Sequence, residues 1–357
     1  MIYLDHAATT PLRPEAREAM ARGFDIWANP SSPHAAGRAA RAALEEARER
    51  VKAALGWQGE VIFTSGASEA AALALGSANA RERFVSAVEH DVVLAAASGA
   101  PRLAVLADGE VDQDALAAVL AKATDPLVAI QWLNSETGIQ QDLGNIVDIV
   151  HDAGGLIVAD CAQSAGKYPL PHEVDMAIVA AHKFGGPIGV GALLVREYEM
   201  LAPRGGQERG YRRGTENLPG VLGMAVALEV GAYPHYMADD GVWDAKQRFF
   251  DEARRAGGIL IGDRAEGKSG YIDAIAMPGL SGAAQLMRFD MAGIAVSQGS
   301  ACSSGSMRRS HVLEAMGVEP DLADRTIRVS SGWTTTTAEI ERFAEVWLSM
   351  AAQAVKA

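Results

Sequence analysis

Lys183 follows an apolar run of strand length, residues 174–181, and His182. Gly185, Gly186 and Pro187 then break the chain. Such a break presents one amine at a strand end. A lysine amine has a reference pKa of about 10.4, so holding it neutral at pH 7 costs roughly 4–5 kcal/mol unless its surroundings assist. An assisted amine can form a Schiff base with an aldehyde cofactor. A lysine simply solvated at a strand end is the ordinary alternative, and the rest of the chain has to decide between them.

A phosphorylated aldehyde needs further groups. Gly66-Ala67-Ser68 at the start of a predicted helix offers backbone N–H groups, a hydroxyl and a favourable dipole to an anion. Asp160, at the end of a predicted strand, could keep a pyridine nitrogen protonated so that the ring accepts electrons. His90 could stack on a flat ring and move protons. Each has a structural alternative. Ser68 could be only an N-cap, Asp160 a cap for the next element, and His90 a surface residue at a strand end.

The elements that must position these groups alternate. Residues 60–63, 83–88, 127–133, 156–159, 174–181 and 192–195 read as strands. Helices are expected over 70–75, over 114–121 with Asp112 as N-cap, and around Ile146, Ile149 and Val150. This rhythm predicts an α/β fold with a largely parallel sheet and helices on both faces. Ser68, His90, Asn134, Ser135, Asp160 and Lys183 each fall just after a predicted strand, where open parallel sheets bind ligands. Residues 35–55 read as a surface helix with the core stripe Leu44, Ala47, Val51 and Leu55. Glu46 is spaced to pair with Arg50, and Gly56 is the expected stop. Gly189-Val190-Gly191 leads into a strand rather than a helix, so a dinucleotide fingerprint fails. Residues 205–215 form a loop rich in glycine and arginine; alone, it could be merely solvated. The texture changes near residue 240. We expect a large domain over 14–240 and a smaller α+β domain over 241–357, with residues 1–13 packing on the latter.

Composition narrows the function further. With 32 Lys and Arg against 45 Asp and Glu, the 357-residue chain carries a formal charge of −13, which argues against binding nucleic acid or an anionic membrane. No apolar stretch reaches the length of a membrane span, and the first residues lack the pattern of a signal peptide. The two cysteines, Cys161 and Cys302, make neither a disulfide framework nor a tetrahedral metal set, so no metal is expected. A reducing cytoplasm is the simplest location.

The motifs in order resemble the cysteine desulfurases of the class V aminotransferase family, pyridoxal-phosphate enzymes of fold type I. The resemblance runs through residues 3–11, 64–69, 89–90, 134–138, 160–163, 182–183, 209–215, 299–303 and 327–332. It implies a homodimer that converts L-cysteine to L-alanine with pyridoxal 5'-phosphate as cofactor. Lys183 would be the Schiff-base lysine, Asp160 would face the pyridine nitrogen and His90 would stack on the ring. Gln163, Asn134 and Ser135 would lie near the ring oxygen. Ala67, Ser68 and His182 would hold the phosphate, with Thr215 reaching it from the second subunit. Arg328, with Asn134, would bind the substrate carboxylate. Three positions depart from the family pattern: Ser135 where a second Asn is usual, Ala180 where a Ser is usual, and Trp333 where an Arg is common.

Cys302 lies in a run of Gly, Ser and Ala that resembles the catalytic loop of members supplying sulfur for iron–sulfur assembly. On that resemblance it would take the substrate sulfur as a persulfide and pass it to an acceptor such as an iron–sulfur scaffold protein. Without the resemblance, a flexible surface loop containing a cysteine would be the simpler reading. Cys161, beside Asp160, reads as a small buried residue. The alternatives are a selenocysteine lyase or aminotransferase of the same family, or a sulfur-relay protein with residual catalysis.

Overall fold

The computed structural model describes residues 1–231, 237, 239–299 and 309–354. Its strands are β1 (Ile2–Tyr3), β2 (Glu60–Thr64), β3 (Glu82–Ser86), β4 (Arg102–Leu103), β5 (Pro126–Gln131), β6 (Leu156–Asp160), β7 (Met176–Ala180), β8 (Gly191–Val195), β9 (Ile259–Leu260), β10 (Ile272–Ala276), β11 (Ile294–Ala295) and β12 (Thr326–Ser330). The first eight helices are α1 (Pro14–Asp25), α2 (Ala35–Leu55), α3 (Ala67–Ser77), α4 (Asp91–Ala96), α5 (Gln113–Leu120), α6 (Leu143–Asp152), α7 (Leu218–Gly231) and α8 (Gly241–Arg255).

Seven strands form the main sheet in the order β2-β8-β7-β6-β5-β3-β4. Only β8 runs antiparallel to its neighbours, β7 and β2; the other pairings are parallel. The carboxyl ends of β2, β3, β5, β6 and β7 therefore share one edge. Every residue of β5, β7 and β8 is buried. Their near-continuous apolar runs are what a strand covered on both faces requires. Within β7, Ala177 and Val179 join the apolar layer containing α2 and α7, whereas Met176 and Ile178 join the layer containing α3. Successive side chains of a strand point to opposite faces, so one short segment builds both cores.

The predicted stripe of α2 is buried, and Gly56 ends the helix at φ 66°. The expected Glu46–Arg50 pair does not form. Arg50 instead makes two 2.6 Å hydrogen bonds to Glu229 on α7, the helix packed alongside. Gly191 also finds its reason. It pairs with both Thr64 and Ala180, and a Cβ there would lie 2.5 Å from the Val179 carbonyl oxygen and 2.7 Å from the Gly66 Cα. The glycine lets β8 pass against the turn that starts α3.

The C-terminal part builds a smaller antiparallel sheet, β12-β10-β9. Phe249 of α8, Phe289, and Phe343 and Trp347 of the helix Thr337–Ala354 pack in its core. The N-terminal segment touches both parts. Its first residues pair β1 with β11, and Asp5 bridges to Ser330. It then crosses to the ligand edge of the main sheet, where Thr10 N–H donates to the His182 carbonyl at 2.8 Å and Arg13 N–H to that of Gly185 at 2.9 Å.

Candidate functional site

Lys183 ends a short 3-10 turn, Ala181–Lys183, directly after β7. Its Nζ donates to the carbonyls of Ala7 at 2.6 Å and Ala8 at 3.0 Å. Gln163 Nε2 also donates to Ala7 O, at 2.8 Å, while its buried Oε1 finds no partner among the described residues. The N-terminal segment thus supplies the acceptors that hold the amine. Asp160, the last residue of β6, accepts a 2.9 Å hydrogen bond from Ala162 N–H. Burial pushes its carboxyl up, against the Ala162 bond and the electrostatic influence of His90 and Lys183, which pull it down. That shared influence gathers the three side chains around one region of the sheet edge.

His90 is the N-cap of α4. Its Nδ1 accepts from Val92 N–H at 3.2 Å, which leaves the proton on Nε2. His182 Nδ1 lies 3.2 Å from Thr9 Oγ1. Burial, then Lys183 and Lys167, lower its pKa to about 4, so the ring is neutral at pH 7. Ala67 and Ser68 occupy the first turn of α3, whose N-terminus has no side-chain cap. Its leading N–H groups are therefore available to an anion.

Other expected residues stand differently. The Asn134 side chain is used by the backbone: its Oδ1 accepts from Glu136 and Thr137 N–H at 2.8 and 2.9 Å, and its Nδ2 donates to Val88 O at 3.2 Å. It shapes the turn after β5. Ser135 contributes its carbonyl, which accepts from Arg328 Nη1 at 2.9 Å. Arg328, 3 % exposed, also ion-pairs with Asp5 at 2.8 Å. Thr215 is exposed within the arginine-rich loop. Cys302 lies outside the described residues. Cys161 is fully buried, and burial, then Asp160, push its thiol far up, which disfavours the thiolate. Of the departures, Ala180 fills β7 opposite Gly191, and Trp333 donates Nε1–H to Pro11 O at 2.9 Å with Arg13 over its ring at 5.0 Å.

Several groups were not anticipated. Glu89 is fully buried; it accepts from Gln131 N–H, and its Oε2 has no partner among the described residues. Burial, then Asp160, push its carboxyl well above the ordinary glutamate value. Its position directly before His90 was the available signal. Lys167 is 1 % exposed and belongs to the turn that carries Gln163; burial, then Lys183, lower its pKa to about 7. The arginine-rich loop is not merely solvated. Glu208 is buried against Arg48 of α2, with bonds of 2.8 and 3.1 Å, and takes Phe63 N–H at 2.9 Å. Arg212 pairs with Glu69 of α3 at 3.0 Å.

Two cavities, of about 370 and 330 Å³, share Glu136, Gly299 and Arg309 in their walls. Arg328 lines the first and His90 the second; Lys183 lines neither. The sheet edge thus brings an uncapped helix start at Ala67 and Ser68 and, around Asp160, the His90 ring and the Lys183 amine.

The chain is similar to known proteins over nearly its whole length. The model of the family described as aminotransferase class-V matches residues 2–343. A cysteine desulfurase of Cereibacter sphaeroides is 38% identical, covering 97% of this chain and 94% of its own. A NifS-like protein from Rickettsia africae superposes with a TM-score of 0.86 at 28% identity, covering 100% of both chains. A structure described as SspA in complex with cysteine gives 0.78 at 28% identity, covering 92% of this chain and 98% of the other. On this fold, this sheet edge and these relatives, the chain belongs to the aminotransferase class-V family and, within it, to the cysteine desulfurases.

Proposed function

We propose that the chain converts L-cysteine to L-alanine and passes the sulfur through Cys302 to an acceptor protein, with pyridoxal 5'-phosphate as cofactor. The observation that carries this reading is the meeting of Lys183, Asp160 and His90 at one sheet edge, each acting on the charge of Asp160 or carrying it. The residues present fit the cofactor. The uncapped turn at Ala67 and Ser68 suits a phosphate, and the orphaned Gln163 Oε1 and the Asp160 carboxyl are buried polar groups that a ring heteroatom would satisfy. When bound, pyridoxal phosphate supplies an electron sink for negative charge at the substrate α-carbon.

The chain's own residues do the rest. Lys183 would hold the cofactor aldehyde, and its amine would move a proton at the substrate α-carbon. Asp160 would face the pyridine nitrogen and keep it protonated. Neutral His182 can donate a hydrogen bond toward the phosphate without adding charge. Thr215 reaches the phosphate from the partner subunit of a homodimer. Arg328 receives the substrate carboxylate. Cys302 thiolate forms an S–S bond to the substrate sulfur. The substrate Cβ–S bond breaks, its electron pair stays with the carbon fragment, and that fragment takes up protons and leaves as alanine. Residues 14–240 form the cofactor-holding domain on this reading, and 241–357 the smaller one. The acceptor is an iron–sulfur scaffold or a related carrier, and the location is the cytoplasm.

The test is alanine release from L-cysteine by the cofactor-loaded protein. Lys183→Ala should lower it by about 10²–10⁴-fold, the usual worth of a positioned acid–base group. It should also lose the borohydride-reducible link to the cofactor. Near-normal alanine formation by that variant would reject the reading.

A further inference from the structure

The Arg328–Asp5 ion pair has a consequence for substrate choice. Arg328 is buried in the middle of β12, and its guanidinium already has two commitments: Nη1 donates to Ser135 O at 2.9 Å and Nη2 to Asp5 Oδ1 at 2.8 Å. Its Nε is buried without a partner among the described residues. A guanidinium has five N–H groups, so the fork is held by the ring of partners but not exhausted. Asp5 arrives from the N-terminal segment, 323 residues away in sequence. It neutralises Arg328 before any ligand does.

The neighbouring charges make that neutralisation matter. The cavity of about 370 Å³ that Arg328 lines also carries Glu136, Arg309 and Asp324. Arg309 pairs loosely with Asp324, at 3.6 Å. Arg309 and Asp324 are 65 % and 51 % exposed, so among the described residues the buried Arg328 guanidinium stands with two carboxylates, Asp5 and the buried Glu136. One substrate carboxylate can still use the open N–H groups of Arg328. A second anionic group on the same ligand would meet a surplus of negative charge in a partly buried site, where charges are weakly screened.

We propose that Asp5 is a specificity-determining residue: by pairing with Arg328 it restricts the site to amino acids with one carboxylate and an uncharged side chain, and discriminates against dicarboxylic and sulfinic analogues. Asp5 acts through Arg328 and through its own field, so it positions and selects rather than reacts. This rests on Arg328 receiving the substrate carboxylate.

The experiment compares the loaded protein, Asp5→Asn and Asp5→Glu. The first readout is calorimetric binding of 3-mercaptopropionate, with one carboxylate, and mercaptosuccinate, with two. The second is the ratio of kcat/KM for L-cysteine sulfinate to that for L-cysteine, read as alanine. Wild type should bind the monoanion at least about tenfold more tightly, a difference near 1.4 kcal/mol. Asp5→Asn should shrink that preference and raise the sulfinate ratio by about tenfold, and Asp5→Glu should restore both. Equal binding of the two ligands by wild type would overturn the proposal without any variant. So would an unchanged ratio in a folded Asp5→Asn protein, or an Asp5→Glu protein that behaves like Asp5→Asn. If no form makes alanine from L-cysteine, the proposed reaction fails, and the binding ratios still decide the role of Asp5.

Discussion

Glu208→Gln is the most informative single change for the architecture around the site. The Glu208 and Arg48 side chains are 1 % and 3 % exposed, and their two bonds join the arginine-rich loop to α2. Glu208 also takes Phe63 N–H from β2, an edge strand of the main sheet. Burial alone would push the Arg48 guanidinium down; the hydrogen bonds and charge of Glu208 more than reverse this and hold it up. Glutamine keeps the shape and one acceptor oxygen but removes the charge, leaving the buried Arg48 with the partly exposed Glu45, 3.2 Å from its Nε, as its remaining ion-pair partner. Breaking such a pair from one side costs about 3–5 kcal/mol. The lower end applies here, because one acceptor remains. About 3 kcal/mol corresponds to roughly a hundredfold faster local opening. Hydrogen exchange read by mass spectrometry should show that acceleration in peptides covering residues 60–64 and 204–215, with little change in the C-terminal sheet. Adding Arg48→Met removes the stranded charge and should recover most of the loss, since apolar replacement of a buried pair is often neutral. Exchange of the Phe63 amide within threefold of wild type, or a double variant worse than the single one, would refute the reasoning.

Two further outcomes are expected. Cys302→Ser should retain the cofactor yet make almost no alanine and no protein persulfide, whereas Cys161→Ser should stay active, its thiol being buried and pushed up in pKa; persulfide mapped by mass to Cys161 would reverse that assignment. Lys167 supplies a pH test. Its folded value of about 7 lies below its reference of 10.5, so between those limits the unfolded chain binds a proton that the folded chain has lost. Stability should therefore rise with pH above 7, by at most about 1.4 kcal/mol per unit, and Lys167→Met should flatten the rise. Urea midpoints of the apoprotein at pH 7, 8 and 9 measure it, and an unaltered slope in the variant would show that Lys167 is not the source.

The strand ends were legible because they are local. A buried strand needs a short apolar run, and a turn after it needs glycine or a polar residue; both can be read within a few positions of Lys183, Asp160 and His90. Their common edge followed once the βα rhythm was recognised, since parallel strands present their carboxyl ends together. The direction of β8 was not legible. Its run of apolar residues looks the same in either direction, and only the sheet order places it antiparallel between β7 and β2.

The helix over residues 35–55 shows the other limit. Its stripe and its stop were readable, yet Arg48 looked like any surface arginine, and Arg50 was matched to the nearest acid rather than to Glu229. The Asn134 amide closes the turn after β5, a contact that its place after a strand does not reveal. The available chemistry was readable from the chain, because residue types, strand periodicity and turn residues are properties of short windows. Tertiary structure alone decided which charges are paired: Asp5 with Arg328, Glu208 with Arg48 and Glu89 beside Asp160. The energy of a charge depends on its burial and on partners brought together across the chain, and no short stretch of sequence contains that information.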